Sequence, residues 1–311
     1  MFKLKLLPTS KGYLLVAISG GFFGLSGMFV EILSAYNIPI NLLGFYRPLI
    51  AFIMIFIYLL IRKREYLKVD GRGLLYIALL GFVSQTLFNQ LYFATMEKTT
   101  IATAVVLLYT APIFVVIMAR FLYKELFNLP KLIALVVSVT GCFLAATGGS
   151  FELLKLNSTG LLLGVGTGFT FALLPIISKD LVKKYHYFTI ALYSMGFGAL
   201  FSLAFIDIRT IILIDYNIKI WANLIALGFF ANAFAYLLYM AGMSYNIQSS
   251  KVSIINTVEV PVAVLTSFIF FQEYIFGLKL LGILLVILSV VIIEYGEQLF
   301  LVGSERGQDQ V

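Results

Sequence analysis

Charged residues are scarce in this sequence. Asp, Glu, Lys and Arg together make up 12% of its 311 residues, which is about half of their share in a typical soluble domain. Apolar residues make up 61%, and a chain of this size folded in water could not hide so much apolar surface in one core. The composition therefore excludes an ordinary soluble protein and indicates that lipid solvates most of the chain.

Histidine and cysteine are almost absent. His186 and Cys142 are the single residues of their types, so an intramolecular disulfide is excluded. The sequence has no His-Glu-x-x-His, Gly-x-Ser-x-Gly or Walker A pattern, which are signatures of metal-dependent hydrolysis, serine hydrolysis and nucleotide binding. We therefore expect no enzyme activity, no metal and no cofactor.

Long apolar runs fill most of the chain. A helix needs about 20 apolar residues to cross a bilayer, and these runs are too long and too uniformly apolar to be strands of a barrel. They predict an all-α integral membrane protein, with a polar cytoplasmic tail at 297–311. Its ten transmembrane helices are expected at 12–35, 42–61, 73–96, 101–123, 131–149, 158–179, 187–206, 220–243, 250–272 and 277–296.

Basic residues outnumber acidic ones and give a net charge of +7. They stand in short runs between apolar segments, such as Arg62-Lys63-Arg64 and Lys183-Lys184, which is typical of membrane orientation signals and not of a nucleic-acid surface. With a cytoplasmic N-terminus, 16 of the 22 Lys and Arg residues lie on the cytoplasmic side. We therefore expect a multi-pass protein of the cell (inner) membrane that contacts the lipid bilayer, has both termini in the cytoplasm and binds no nucleic acid.

The sequence repeats itself at an offset of about 148 residues. LYFATM at 91–96 matches LYMAGM at 238–243, Pro112 matches Pro261, and Glu125 matches Glu273. Gly12, Val16, Gly20 and Gly24 match Gly160, Gly164, Gly168 and Ala172. The repeats run over 12–149 and 158–296 with five spans each. Because five is odd, the second repeat enters the membrane from the opposite side, and such inverted repeats are a common basis of alternating access.

Several segments carry a family resemblance. They are FFGLSGMF at 22–29, FYRPLIA at 45–51, the stretch from Pro112 to Glu125 followed by Ala134 and Gly141, and its second copy in Pro261, Glu273, Gly282 and Ser289. The chain thereby resembles the EamA-type transporters of the drug/metabolite transporter superfamily. The resemblance implies a ten-helix bundle whose central cavity is lined by helices 1, 3, 4, 6, 8 and 9. It also implies export or exchange of amino acids, nucleotide-sugar-like metabolites or amphiphilic compounds.

Glu31, Arg47 and Glu259 are ionisable residues within the predicted spans, where a charge costs free energy unless it is paired or hydrated. Glu259 stands two residues before Pro261, which frees a backbone carbonyl, and we consider it both as a proton carrier or ammonium-binding group and as a structural carboxylate. Glu31 and Arg47 face each other on adjacent helices as a candidate ion pair. Glu31 is then either an orientation-fixing residue or a gate, and Arg47 is expected to be structural.

Polar side chains on the cavity helices form the candidate substrate site. Gln85 and Asn89, like Asn232 and Tyr236, are four residues apart and share a helix face. The predicted substrate-binding residues are Gln85, Asn89, Tyr109, Thr110, Asn232, Tyr236, Tyr239, Asn256 and Glu259, and the predicted coupling or gating residues are Glu31 and Glu259. Interhelical hydrogen bonding is the alternative role for each polar residue.

Together these features predict a secondary transporter. We expect an exporter or exchanger of small metabolites such as amino acids or their derivatives, which works by alternating access around a central cavity. Protons are a candidate coupling ion, and the sequence does not indicate an oligomeric state. A passive channel or facilitator, and a flippase of a lipid-linked small molecule, remain as alternatives.

Overall fold

The computed structural model describes residues 8–155 and 157–308. Within this part of the chain, ten helices are long and apolar enough to cross a membrane. They are Thr9–Ser34, Ile40–Arg62, Gly71–Lys98, Ile101–Tyr123, Leu129–Thr147, Ser158–Leu181, Tyr187–Phe205, Ile218–Met243, Ser249–Phe271 and Leu278–Gly296, here called spans 1 to 10. The predicted ten-helix architecture is confirmed, with each boundary within a few residues of its predicted position.

Short polar residues begin several of these helices. The side chain of the residue before the helix accepts a hydrogen bond from a backbone N–H in the first turn, which satisfies a donor that has no partner within the helix. Asp70, Thr100, Asn128, Asn157 and Asn217 do this for spans 3, 4, 5, 6 and 8.

Spans 4 and 9 are each broken near their middle. Span 4 consists of the helices Ile101–Leu108 and Ala111–Tyr123, and span 9 consists of Ser249–Asn256 and Glu259–Phe271. Pro112 and Pro261 follow the two breaks and have no N–H with which to continue the helical ladder. Because the breaks are 148 residues apart in sequence, the inverted repeat places one in each half.

Spans 3 and 8 contain a wider helical turn that the sequence pattern did not reveal. Residues Phe82–Leu87 and Phe229–Phe234 form π-helix, again at equivalent positions of the two halves. Such segments shift the register of the side chains that follow and are frequent at functional sites.

The first span of each half packs against the other half. A Cβ atom added at Gly12 in span 1 would lie 2.9 Å from the carbonyl oxygen of Gly242 in span 8. In span 6, a Cβ atom at Gly168 would lie 2.8 Å from the carbonyl oxygen of Leu107 in span 4. Only small residues permit such close approach of backbones in a membrane. The small-residue rows of spans 1 and 6 therefore join the two halves around a common centre.

Span 10 belongs to a longer helix, Leu278–Gln308, which extends into the stretch predicted as a polar tail at 297–311. Residues 309–311 of that tail lie outside the described residues. On its membrane-spanning part the helix packs on span 5, where a Cβ atom at Gly282 would lie 2.7 Å from the carbonyl oxygen of Gly141.

Candidate functional site

The two helix breaks meet at one carboxylate. Glu259 begins the second segment of span 9 and is half-buried near the middle of the membrane. Tyr109, at the break of span 4, donates a hydrogen bond to its Oε1 over 2.7 Å. Asn256, one turn before Glu259, donates from Nδ2 to Oε2 over 3.2 Å. Both carboxylate oxygens are thus held by neutral donors from the two pseudo-symmetric spans.

A small cavity adjoins this cluster, with a volume of about 20 Å³. That is room for about one water molecule. Its walls come from spans 4, 6, 8 and 9 and include Tyr109, Pro112, Phe171, Pro175, Tyr239 and Asn256. The four spans belong to the set of cavity helices that the family resemblance implies, and in this structure they are closely packed around the centre.

One polar atom at the cavity has no hydrogen-bond partner among the described residues. It is Oδ1 of Asn256, whose side chain is buried and whose Nδ2 is already used on Glu259. A buried amide oxygen left unpaired costs about 1–3 kcal/mol. An unsatisfied acceptor of this kind is therefore part of the site beside Glu259.

Span 1 packs against the site through its backbone, because glycines stand at the points of contact. A Cβ atom at Gly24 would lie 2.5 Å from the carbonyl oxygen of Glu259, and one at Gly20 would lie 2.9 Å from that of Asn256. A larger residue at Gly24 would force span 1 away from span 9. The position of the two site residues thus depends on glycines in the neighbouring half.

Arg47 is a residue of this region that the sequence interpretation assigned a purely structural role. In span 2 it lies one turn after Gly44, on the same helix face, and a Cβ atom at Gly44 would lie 3.2 Å from the ring of Phe93 in span 3. The Arg47 side chain is half-buried, and its charge acts on Glu259 and Tyr92. Its family position was visible in the sequence, but its electrostatic interaction with Glu259 was not.

The expected ion pair between Glu31 and Arg47 is wrong. Glu31 interacts electrostatically with Glu273 and has no ion-pair partner among the described residues. The two helices are adjacent, but Glu31 is about 5 Å from the end of span 1 whereas Arg47 is about 10 Å inside span 2. The sequence alone does not give the depth of the two residues in the membrane or the rotation of their helices.

The structure brings four of the predicted substrate-binding residues together. Tyr109, Tyr239 and Asn256 line the cavity, and Glu259 is hydrogen-bonded to two of them. Tyr239 is almost fully buried, with its ring centre 6.4 Å from that of Phe23 in span 1.

Three other predicted substrate-binding residues lie beside span 7 and not in this cluster. Gln85 packs against Gly198, where an added Cβ atom would be 2.5 Å from the Gln85 Cβ. Asn232 donates to the sulfur of Met195 over 3.4 Å, and Tyr236 is buried beside span 7 residues. Their side chains make contacts between spans 3, 7 and 8, and a role in substrate binding stays a prediction for them.

Asn89 and Thr110 use their side chains within their own spans. Asn89 donates to the carbonyl oxygen of Gln85, one turn earlier. Thr110 donates to the carbonyl oxygen of Leu107 over 2.6 Å and so satisfies a backbone group at the break of span 4. Substrate binding stays a prediction for these two residues as well. Among the residues that the structure describes, no group of three or more His, Cys, Asp or Glu side chains could hold a metal ion.

Comparison with known proteins agrees with this architecture. The sequence matches the EamA-like transporter family twice, over residues 10–147 and 158–295. The two matches coincide with the two five-helix halves. The chain belongs to the EamA-like transporter family.

Relatives of this transporter are identical to it at about a quarter of the aligned positions. An uncharacterised transporter of Archaeoglobus fulgidus is 27% identical over 65% of this chain and 70% of its own length. The uncharacterised transporter YxxF of Bacillus subtilis is 24% identical over 82% and 80% of the two chains. The uncharacterised inner membrane transporter YicL of Salmonella typhimurium is 26% identical over 63% and 67%. These relatives agree with a multi-pass membrane transporter.

A solved crystal structure of a protein has the same fold. It superimposes with a TM-score of 0.71 over 89% of this chain and 95% of the other, at 14% sequence identity. At that identity the likeness concerns the fold alone.

Proposed function

We propose that this transporter is a secondary carrier that exports or exchanges small metabolites, such as amino acids or their derivatives, by alternating access. The observation that carries this proposal is the cluster of Tyr109, Asn256 and Glu259, in which two broken helices from opposite halves meet at one carboxylate. In transporters built from inverted repeats, broken helices at midplane form the substrate and ion sites. Glu259 is the group we assign to substrate binding or proton coupling.

Closure of the site supports a carrier over a channel. A cavity of about 20 Å³ cannot admit a metabolite, and a solute reaches Glu259 only if the surrounding spans move apart. The close backbone contacts of Gly20 and Gly24 with span 9 make span 1 one of the elements that must move. This close packing at Glu259 supports a gated carrier over a channel that is always open.

The membrane and its orientation form the second part of the proposal. The excess of Lys and Arg in the loops on the side of the N-terminus favours a location in the cell (inner) membrane with both termini cytoplasmic. A cysteine placed in the loop between spans 7 and 8 should then react with an impermeant thiol reagent added outside intact cells. Labelling of that loop only after the cells are opened would contradict the proposed topology.

Solute counterflow into liposomes tests the carrier proposal. Purified protein is reconstituted, loaded with a mixture of amino acids and metabolites, and challenged with the same compounds in labelled form outside. A carrier gives saturable counterflow, whereas a channel gives no acceleration by solute on the far side. Movement of a lipid-linked solute between leaflets without counterflow of any soluble compound would favour the flippase alternative.

Glu259→Gln is the variant that links this transport to the site. We expect it to abolish transport or its pH dependence, because the amide cannot carry a negative charge or a proton. Glu65→Gln is the matched control, since Glu65 lies outside the spans and its side chain is 62% exposed. Wild-type rates and an unchanged pH profile in Glu259→Gln would remove Glu259 from the mechanism.

A further inference from the structure

Two stretches on the side of the N-terminus carry an excess of positive charge. The stretch 62–72, which joins spans 2 and 3, has five basic and two acidic residues. The stretch 180–186, which joins spans 6 and 7, has two lysines and one aspartate. Seven basic residues thus exceed three acidic ones by four, and the two stretches together carry a formal charge of +4. On the opposite side, the loop 206–217 holds two aspartates and one arginine.

The structure brings these two stretches together, although they belong to different halves. The ring of Tyr66 stacks on that of His186 with ring centres 3.7 Å apart. The hydroxyl of Thr189 donates to the carbonyl oxygen of Tyr66 over 2.7 Å, and the hydroxyl of Tyr193 donates to that of Leu67 over 2.6 Å. A membrane orientation signal depends only on the number of basic residues in a loop, so it does not explain this fixed arrangement.

Several basic residues of the two stretches are already engaged with the protein. Lys183 pairs with Asp180 over 2.9 Å, Lys63 lies 3.8 Å from Glu65, and Arg64 donates to a backbone carbonyl of span 2. The other four are exposed and make no hydrogen bond or ion pair through their side chains among the described residues. These four residues, here called the basic patch, are Arg62, Lys68, Arg72 and Lys184.

The basic patch includes side chains from both halves. Tyr185, which follows Lys184, donates a hydrogen bond to the Asp70 carboxylate. Asp70 stands between Lys68 and Arg72 in the sequence. The contact therefore places the lysine of the second half beside the basic residues of the first half.

The basic patch lies at the level of the bilayer surface. Arg62 is the last residue of span 2, and Tyr58 stands one turn before it on the same helix face. Tyr58 is 46% exposed, and its ring centre is 5.4 Å from that of Phe188 near the start of span 7. Tyrosines at the ends of spans mark the boundary between lipid tails and headgroups. A molecule that contacts Arg62 can therefore place apolar chains against the exposed surface of Tyr58.

We propose that the basic patch binds the headgroup of an anionic phospholipid, which thereby bridges the two halves on the side of the N-terminus. This inference goes beyond the proposed function, because it involves neither Glu259 nor the cavity beside it. The guanidinium group of an arginine offers paired donors to phosphate oxygens, and the ammonium group of a lysine adds a compact positive charge. Each Lys or Arg close to an anionic membrane surface strengthens binding by about 5-fold.

Lipids that differ only in their headgroup test this proposal. Purified protein in detergent is titrated with phosphatidylglycerol or with phosphatidylcholine of the same acyl chains. The apparent affinity follows from the rise of the melting temperature with lipid concentration. We expect phosphatidylglycerol to bind at least about 10-fold more tightly, because it carries a net negative charge. The difference should shrink at high salt, which screens exposed charges.

A double variant locates the binding. Arg62→Gln combined with Lys184→Gln removes one charge from each half and should weaken the binding of phosphatidylglycerol about 25-fold. Lys155→Gln combined with Lys219→Gln is the matched control, because it removes the same charge from exposed residues on the opposite side, and it should leave the affinity nearly unchanged. Arg62→Lys keeps the charge and should keep most of the affinity.

Melting temperatures without added lipid show whether each variant is folded. If the double variant is unstable, Arg62→Gln and Lys184→Gln are tested singly, and each should weaken binding about 5-fold. A selective loss of affinity in these variants, at an unchanged melting temperature without lipid, would support the lipid site.

Three results would overturn the inference. Equal binding of phosphatidylglycerol and phosphatidylcholine by the wild type would show that the headgroup charge is not recognised. An equal loss of affinity in the patch variant and in the control variant would indicate a general effect of net charge and not a site. Inorganic phosphate is the third probe, and stabilisation by phosphate as strong as that by phosphatidylglycerol would assign the basic patch to a soluble anion.

Discussion

The two ends of the bundle carry equivalent glutamates in very different surroundings. Glu125, after span 4, is almost buried, and its Oε1 accepts from the Lys179 Nζ over 2.7 Å and from the Ser249 N–H over 2.8 Å. Its Oε2 accepts from the N–H and hydroxyl of Ser250. Glu273, after span 9, has a side chain 53% exposed, with Lys279 at 3.7 Å. Glu125 therefore joins the two halves and Glu273 does not.

The difference between the surroundings of Glu125 and Glu273 follows from one position of the repeat. At an offset of 148 residues, Lys179 at the end of span 6 corresponds to Glu31 at the end of span 1. On the side of the N-terminus, a lysine therefore pairs with Glu125. On the opposite side, the equivalent position holds a carboxylate that interacts unfavourably with Glu273. The two halves of a nearly symmetric scaffold are thus joined by a buried ion pair at one side only.

Reversing the charge of Lys179 should have the largest effect. Lys179→Glu would leave Glu125 buried beside a second carboxylate, and breaking a buried pair costs about 3–5 kcal/mol. We expect a clear loss of thermal stability, or an opening at the side of the N-terminus. The opening is measured as faster thiol labelling of a cysteine at Ser253, which is near the cavity, in a Cys142→Ala background.

Lys183→Glu is the control for this variant. Lys183 pairs with Asp180 over 2.9 Å, but both side chains are about half exposed or more, and such pairs contribute about 0–1 kcal/mol. An equal loss of stability in Lys183→Glu would show that the burial of the Glu125 pair is not what matters.

Placing a lysine at the opposite end should have the next largest effect. Glu31→Lys would give Glu273 a cation at the position that Lys179 occupies for Glu125. We expect counterflow to slow about 10-fold, because a new contact between the halves holds that side closed as well. Glu31→Gln, which only removes the carboxylate, is the matched control and should retain most of the rate. Similar rates for Glu31→Lys and the wild type would mean that this end does not limit transport.

Low pH should weaken the contact between the two halves on the side of the N-terminus. Burial raises the pKa of Glu125, but hydrogen bonds from Lys179 and Ser250 together with the charge of Lys179 lower it more, so the pKa lies below the ordinary value. A depressed pKa contributes stability that is present above the unfolded value and is lost as the pH falls through the folded value. Labelling of a cysteine at Ser253 should therefore rise below the usual titration range of glutamate, about pH 4. In Glu125→Gln this pH dependence should be absent.

Neutralising Glu273 should have the smallest effect. Glu273→Gln removes one partner of an exposed pair, so the melting temperature should change by less than about 2 °C, which corresponds to about 0.5 kcal/mol. Glu125→Gln, the equivalent change in the other half, should lower it several times more. Equal shifts of the two variants would contradict the asymmetry between the ends.

Part of the candidate site was predictable from the sequence. Pro112 and Pro261 mark the two helix breaks, because proline cannot continue the hydrogen-bond ladder in any context. Glu259 stands out because a carboxylate within an apolar run is rare, and Tyr109 and Asn256 lie beside these signals. Gln85 and Asn232 were chosen on the same chemical grounds, but the structure places them around span 7.

The relation between Arg47 and Glu31 could not be predicted from the sequence. Both were recognised as ionisable residues of adjacent spans, and their pairing followed from adjacency alone. Which face a membrane helix turns inward depends on its neighbours, and lipid is as apolar as the helix surface, so hydropathy does not record the rotation. For the same reason, hydropathy did not indicate the π-helical segments of spans 3 and 8.

The amino-acid sequence is sufficient to establish that lipid surrounds this protein, that it has ten spans and that it is duplicated. The number, length and repetition of apolar runs depend on no contact between distant residues. Only the tertiary structure decided which charges meet. The packing of spans 1 and 6 against the opposite halves brings Gly24 to Glu259, and helix depth and rotation keep Arg47 beyond ion-pair distance of Glu31. Both depend on backbone approach and on steric fit, which arise when the helices pack.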